Sequence, residues 1–125
     1  MTHRLDRLRE AMAAAGVEAF LTSHGPNRRY LTGFTGSAGT LLVSAGGAWL
    51  LVDGRYEEQA RQQAPGIPVV RYEERNEALA QLVPTLGLRR IGFEAQHTSV
   101  RELTKLQEAL PGVEWVPTEG LVERL

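Results

Sequence analysis

The chain contains no cysteine, which excludes a disulfide framework, a zinc–thiolate site and a cysteine nucleophile. That absence fits a reducing compartment. There is no basic excess either. Fourteen Lys and Arg stand against 15 Asp and Glu, for a net charge of −1, whereas nucleic-acid and anionic-membrane surfaces need positive charge. The opening residues, MTHRLDRLRE, lack the apolar run of a signal peptide. Residues 35–52 carry no formal charge, but Gly36, Gly39, Ser44, Gly46 and Gly47 interrupt them. That stretch therefore reads as two strands and a turn rather than a membrane span. Metal-ligand patterns are missing as well. The aspartates are Asp6 and Asp53 and the histidines His3, His24 and His97, with no H-x-x-x-H or D-x-D among them, so no metal site is read from the sequence. These absences predict a cytoplasmic protein with no nucleic-acid or membrane partner.

What is present is ordinary for a globular domain. The 125 residues, 42% hydrophobic and 23% charged, suffice for one domain with a core. Leu5, Leu8, Met12 and Ala15 recur at helical spacing, and Gly16 follows where a left-handed cap would sit. Val17 to Thr22 reads as a strand and Ser23 to Asn27 as a turn. Arg28 to Leu31 reads as a helical turn that buries Tyr30 and Leu31 and shows the arginines to solvent or a partner. Leu41–Val43 and Trp49–Val52 are apolar runs joined by Gly46-Gly47, which predicts an antiparallel hairpin covered on both faces. Asp53 is placed as the N-cap of a helix carrying Tyr56, Ala60 and Ala64 on one face. Pro68 to Tyr72 reads as an edge strand, and Asn76 as the cap of a helix that Pro84 shortens. Arg90 to Glu94 is a strand. Ser99 and Glu102 form a capping box for a helix lined by Leu103, Leu106 and Leu110. Val113 to Val116 is a last strand, and Thr118 caps a helix carrying Leu121 and Leu125. The sum is an α/β domain, a mixed sheet of about six strands with helices on its faces.

Gly33, Gly36 and Gly39 lie three residues apart, but no Gly-Lys-Ser/Thr and no following helix make a phosphate loop of them. Ser37-Ala38-Gly39 half-matches a nucleophile elbow and again opens a strand, not a helix. The glycines are read as tight turns and points of close approach. His24, just past a strand end, is a loop residue with a functional alternative. Read from the residues alone, the chain is a scaffold or binding domain without a complete active site.

The run Tyr30-Leu31-Thr32-Gly33-Phe34-Thr35-Gly36-Ser37-Ala38-Gly39-Thr40, with Val52-Asp53-Gly54-Arg55-Tyr56 and Gln59-Ala60, resembles the N-terminal domain of Xaa-Pro aminopeptidases and prolidases. These are creatinase-like metallopeptidases with a pita-bread catalytic domain. The opening RLxxLRxxMxxxGVEAFL and the IGFE strand agree with the same family. The resemblance implies a ribonuclease H-like motif over residues 1–117 and, at 118–125, the start of a linker helix to a C-terminal catalytic domain. It implies a parent enzyme that hydrolyses the Xaa-Pro bond of short peptides with two divalent cations, manganese or cobalt. Two aspartates, a histidine and two glutamates of that other domain would hold them. This chain alone would be inactive. It would serve homodimer contacts and border the active site, through Phe34, Ser37, Ala38, Arg55 and Tyr56, then Arg28 and Arg29. The exposed strand edge or the apolar loop around Phe34 is expected to drive self-association of the isolated domain. Two alternatives stand beside this reading: a non-catalytic peptide- or protein-binding module, and the N-terminal domain of a creatinase-type amidinohydrolase.

Overall fold

A computed structural model describes residues 2–125. Helix α1 (Thr2–Ala14) is followed by β1 (Ala19–Thr22), α2 (Gly25–Thr32), β2 (Thr40–Ser44) and β3 (Gly47–Val52). Then come α3 (Glu57–Gln63), β4 (Val69–Arg71), α4 (Arg75–Thr85), β5 (Arg90–Glu94), α5 (Val100–Ala109) and β6 (Glu114–Thr118). The six strands form one sheet in the order β4-β3-β2-β1-β5-β6. β1-β2 and β2-β3 are antiparallel, and the other neighbours are parallel. The mixed α/β sheet is as expected, with Pro68 leading into the edge strand β4 and Pro117 in the other edge strand.

Side-chain alternation along the strands sends two sets of residues to opposite faces. Phe20, Leu41 and Val43 pack with Leu5, Leu8 and Met12 of α1 and Leu31 of α2. Ala19, Leu21, Leu42 and Ile91 pack with Leu79 and Val83 of α4 and Leu106 and Leu110 of α5. A third cluster joins Phe34, Leu50 and Val52 to Ala60 and Ala64 of α3.

Local chemistry explains most element ends. Gly16 takes φ 74° after α1, as its place predicted. Ser99 accepts the Glu102 N–H while Glu102 accepts the Ser99 N–H, closing the capping box of α5. Pro84 lies in the last turn of α4, which stops at Thr85.

Several expectations are corrected. β1 starts at Ala19 because the Val17 N–H donates back to the Met12 carbonyl. The two-residue hairpin turn is Ala45-Gly46, since Ser44 pairs with Gly47. Glu74, not Asn76, caps α4, its carboxylate accepting the Glu77 N–H at 2.7 Å. Leu103 is half-buried, whereas Leu106 is the buried residue of α5 and Leu110, just past its end, is buried too. Thr118 ends β6 and donates its hydroxyl to the Phe93 carbonyl at 2.9 Å. Residues 119–124 are bends and turns rather than a helix. Leu121 and Val122 are buried there because they extend the core under α1.

Candidate functional site at the C-terminal sheet edge

Because β3 runs parallel to β1, the C-terminal ends of β1, β3, β4, β5 and β6 share one edge with the start of β2. Loops at this edge are where α/β sheets place ligands. Every residue expected to border the active site lies on it or on α2 beside it. The side chains at this edge fall into two groups.

The first group surrounds the glycine loop, 33–39. Arg28 is not displayed to solvent as expected; it is 2% exposed. Its guanidinium lies under the loop and donates to the Gly36 carbonyl at 2.5 Å, to Gly39 at 2.7 Å and to Ser23 at 3.2 Å. Burial lowers the Arg28 pKa from its ordinary value. Its Nε is buried and has no partner among the described residues. Phe34, proposed as an access residue, is fully buried. Its ring meets Tyr56 edge-to-face at 6.0 Å, and the Arg28 guanidinium lies 5.5 Å above it. A Cβ on Gly36 would collide with this ring, so the glycine is the close approach that the sequence suggested. Phe34 therefore holds the loop from beneath and offers no exposed apolar surface for self-association.

Ser37 is exposed, and its hydroxyl lies 2.5 Å from that of Tyr56. Ala38 is half-buried beside it. Ser37 is thus bonded to a phenol, and both His24 and His97 belong to the second group, so no serine triad forms. Asp53 is not the N-cap of α3. It folds a turn of its own, accepting the Arg55 N–H at 2.9 Å and gripping the Arg55 guanidinium at 2.8 and 3.1 Å. α3 starts later, after Tyr56, without a side-chain cap. The Arg55 side-chain hydrogen bond is the main cause that lowers the Asp53 pKa, and Asp53 raises that of Arg55 in turn. Arg55 and Arg29 are exposed. Arg29 borders a groove of about 790 Å³ with Arg4, Tyr30 and Thr35.

The second group sits past the ends of β1, β5 and β6, and sequence reasoning missed it. Glu94, the last residue of β5, is 4% exposed. The Thr22 hydroxyl donates to one of its oxygens, and the Asn27 amide donates to the other at 2.5 Å. The same Asn27 nitrogen lies 3.2 Å from Glu123, which pairs with His97 Nε2 at 3.2 Å. The His97 ring stacks on His24, centroids 3.5 Å apart and planes 4° from parallel. At Glu123, burial is the largest influence and acts to raise the pKa. The Asn27 hydrogen bond, a backbone N–H and His97 together outweigh it, and the net shift is downward. Glu94, His97 and Glu123 each offer a ligand atom within 4.8 Å of the others. The signal available in the sequence was Glu94-x-x-His97, and nothing local linked it to Glu123.

The dinuclear centre implied by the resemblance needs two aspartates, a histidine and two glutamates. Asp6 and Asp53 are held by Arg9 and Arg55, on α1 and after β3, and only three ligating side chains converge among the described residues. These residues do not fit a two-cation centre.

The profile of the Creatinase/Prolidase N-terminal domain matches residues 4–125. The chain belongs to this family. Relatives within and around it are peptidases by description. The Bacillus subtilis protein described as uncharacterized peptidase YqhT is 32% identical over 123 residues, 98% of this chain and 35% of its own length. The N-terminal domain of cytoplasmic peptidase PepQ from Mycobacterium tuberculosis superposes with a TM-score of 0.91 at 40% identity, over 98% of this chain and 97% of that one. A Xaa-Pro dipeptidase from Bacillus anthracis superposes with a TM-score of 0.94 at 35% identity, over 98% of this chain and 35% of that one. The chain thus spans about a third of the length of the Bacillus subtilis and Bacillus anthracis proteins. Among the described residues no helix is long and apolar enough to cross a membrane.

Proposed function

We propose that this creatinase/prolidase N-terminal domain works in a Xaa-Pro peptidase, joined to a C-terminal catalytic domain that holds two divalent cations, manganese or cobalt. Its part is subunit association, as a homodimer, and restriction of the active site to short peptides. The observation that carries the reading is the TM-score of 0.94 at 35% identity over 98% of the chain against a Xaa-Pro dipeptidase. A cytoplasmic location is supported by the description of the PepQ neighbour. The access role belongs to the solvent side of the glycine loop: Ser37, Ala38, Arg55 and Tyr56, with Arg29 next. Phe34 and Arg28 act from below as the loop's support.

The chemistry suits that role. Ser37 and Tyr56 present hydroxyls, Arg55 presents a guanidinium oriented by Asp53, and Gln63 ties Thr35 of the loop to α3 at 2.9 Å. Such a rim can contact the polar backbone of a peptide or a facing subunit while staying rigid. The test is a double variant, Arg55→Ala with Ser37→Ala, in the whole enzyme. It should relax the preference for short over long Xaa-Pro peptides, or weaken the dimer seen by light scattering, with the fold intact by circular dichroism. Unchanged length preference and an unchanged dimer would remove the rim from function.

A further inference from the structure

We propose that Glu94, His97 and Glu123 form a binding site for one borderline divalent cation of the Zn²⁺ or Co²⁺ kind, which fastens the segment after β6 to the end of β5.

Geometry comes first. The Glu94-Ala95-Gln96-His97 turn is closed by the His97 N–H donating to the Glu94 carbonyl at 3.1 Å, so both side chains leave the same turn. Glu123 arrives from the far end of the chain, and the three ligand atoms lie within 4.8 Å of one another. A cation bonds carboxylate oxygen and imidazole nitrogen at about 2.0–2.2 Å. The ligands must therefore draw closer than they stand now. His97 and Glu123 can do so, because their side chains keep 27% and 39% exposure, while Glu94 is anchored.

Glu94 is buried, yet no Lys or Arg pairs with it or with Glu123 among the described residues. Two carboxylates instead converge on one neutral amide nitrogen, Asn27 Nδ2. Buried carboxylates are ordinarily paired or bound to a metal. A divalent cation supplies the missing charge. The surroundings also resemble those of a ligand set: the Thr22 hydroxyl and the Asn27 amide orient the carboxylates, and the stacked His24 ring fixes the plane of His97. One imidazole with two carboxylates favours a borderline cation over Mg²⁺ or Ca²⁺, which take oxygen ligands. Water would complete the coordination from the side on which His97 and Glu123 keep 27% and 39% exposure.

The experiment is a Co²⁺ titration of the 125-residue chain followed by visible absorption, with Zn²⁺ competition by calorimetry. His3→Ala is included in every protein so that the N-terminal histidine contributes nothing. The expected result is one Co²⁺ per chain, displaced by Zn²⁺ and indifferent to Mg²⁺. His97→Asn and Glu123→Gln, both at solvent-open positions, should each weaken binding by more than about tenfold while circular dichroism stays native. Hydrogen exchange in residues 119–125 should slow when the cation is added. No one-to-one binding, or binding that survives both substitutions, would overturn the proposal.

Discussion

Asn27 and Arg28 are neighbours on α2, and they serve two buried charges of opposite sign. Arg28 buries a guanidinium under the glycine loop; Asn27 touches the buried carboxylate of Glu94. No salt bridge joins the two among the described residues. On the loop side, three carbonyl oxygens accept from the terminal nitrogens of the cation, which hold Ser23, Gly36 and Gly39 in place, while its Nε has no partner among the described residues. On the other side, a hydroxyl and an amide satisfy the anion, with a second carboxylate and a histidine open to solvent beside it. The first arrangement locks a loop. The second leaves a negative cluster able to accept a cation. Buried charge is expensive in both cases; dipoles offset it at Arg28, whereas at Glu94 a hydroxyl and an amide offset it in part and no Lys or Arg joins them among the described residues.

The loop side should be the more sensitive. Phe34→Ala removes a fully buried ring and should cost about 3–5 kcal/mol in urea denaturation; a loss under about 1 kcal/mol would mean that the loop does not rest on it. Arg28→Met keeps much of the bulk but strips the carbonyls of their donor. Each buried group left unsatisfied costs about 1–3 kcal/mol, and partial relaxation of the loop brings the expected total to roughly 2–4 kcal/mol. Amide exchange at Gly36 to Gly39 should rise with it. Glu94→Gln is expected to cost less, about 1 kcal/mol, because the neutral amide keeps an acceptor for Thr22 or Asn27 and removes a charge that no cation balances. If Glu94→Gln proved costlier than Arg28→Met, the contrast between the two sides would be reversed.

The smallest effect lies at the opposite end of the sheet. Glu18 accepts the N–H groups of Arg89 and Arg90 at 2.8 and 2.9 Å. Those bonds, Arg89 first, lower its pKa below the ordinary 4.5. Its stabilisation is therefore present above pH 4.5 and fades as pH falls through the lower folded value. Glu18→Ala should flatten the acid limb of the stability profile without altering the neutral plateau beyond the two lost hydrogen bonds. An acid limb of unchanged slope would show that Glu18 plays no part in it.

Most of the architecture was legible because it rests on local signals. Alternation and apolar runs gave the strands, Leu5, Leu8 and Met12 gave α1, and Ser99 with Glu102 marked the start of α5. The misses have physical causes. Arginine is rarely buried, and nothing near Arg28 announces that carbonyls eight and eleven residues on will receive it. Asp before a helix fits both an N-cap and a closed turn, and Arg55 decided for the turn. Leu121 and Leu125 have helical spacing, but the core under α1 draws in Leu121 and Val122 together. The Glu94, His97 and Glu123 cluster was invisible because only the parallel pairing of β1, β5 and β6 brings its members to one edge.

The domain is expected to be part of a larger polypeptide. An antibody against the chain can recover that polypeptide from its source cells, and its mass and its action on Xaa-Pro peptides can be measured with and without manganese. The prediction is a species far heavier than 13.8 kDa that cleaves the Xaa-Pro bond only with the metal. A species of 13.8 kDa that cleaves nothing would contradict it and leave a binding module in its place.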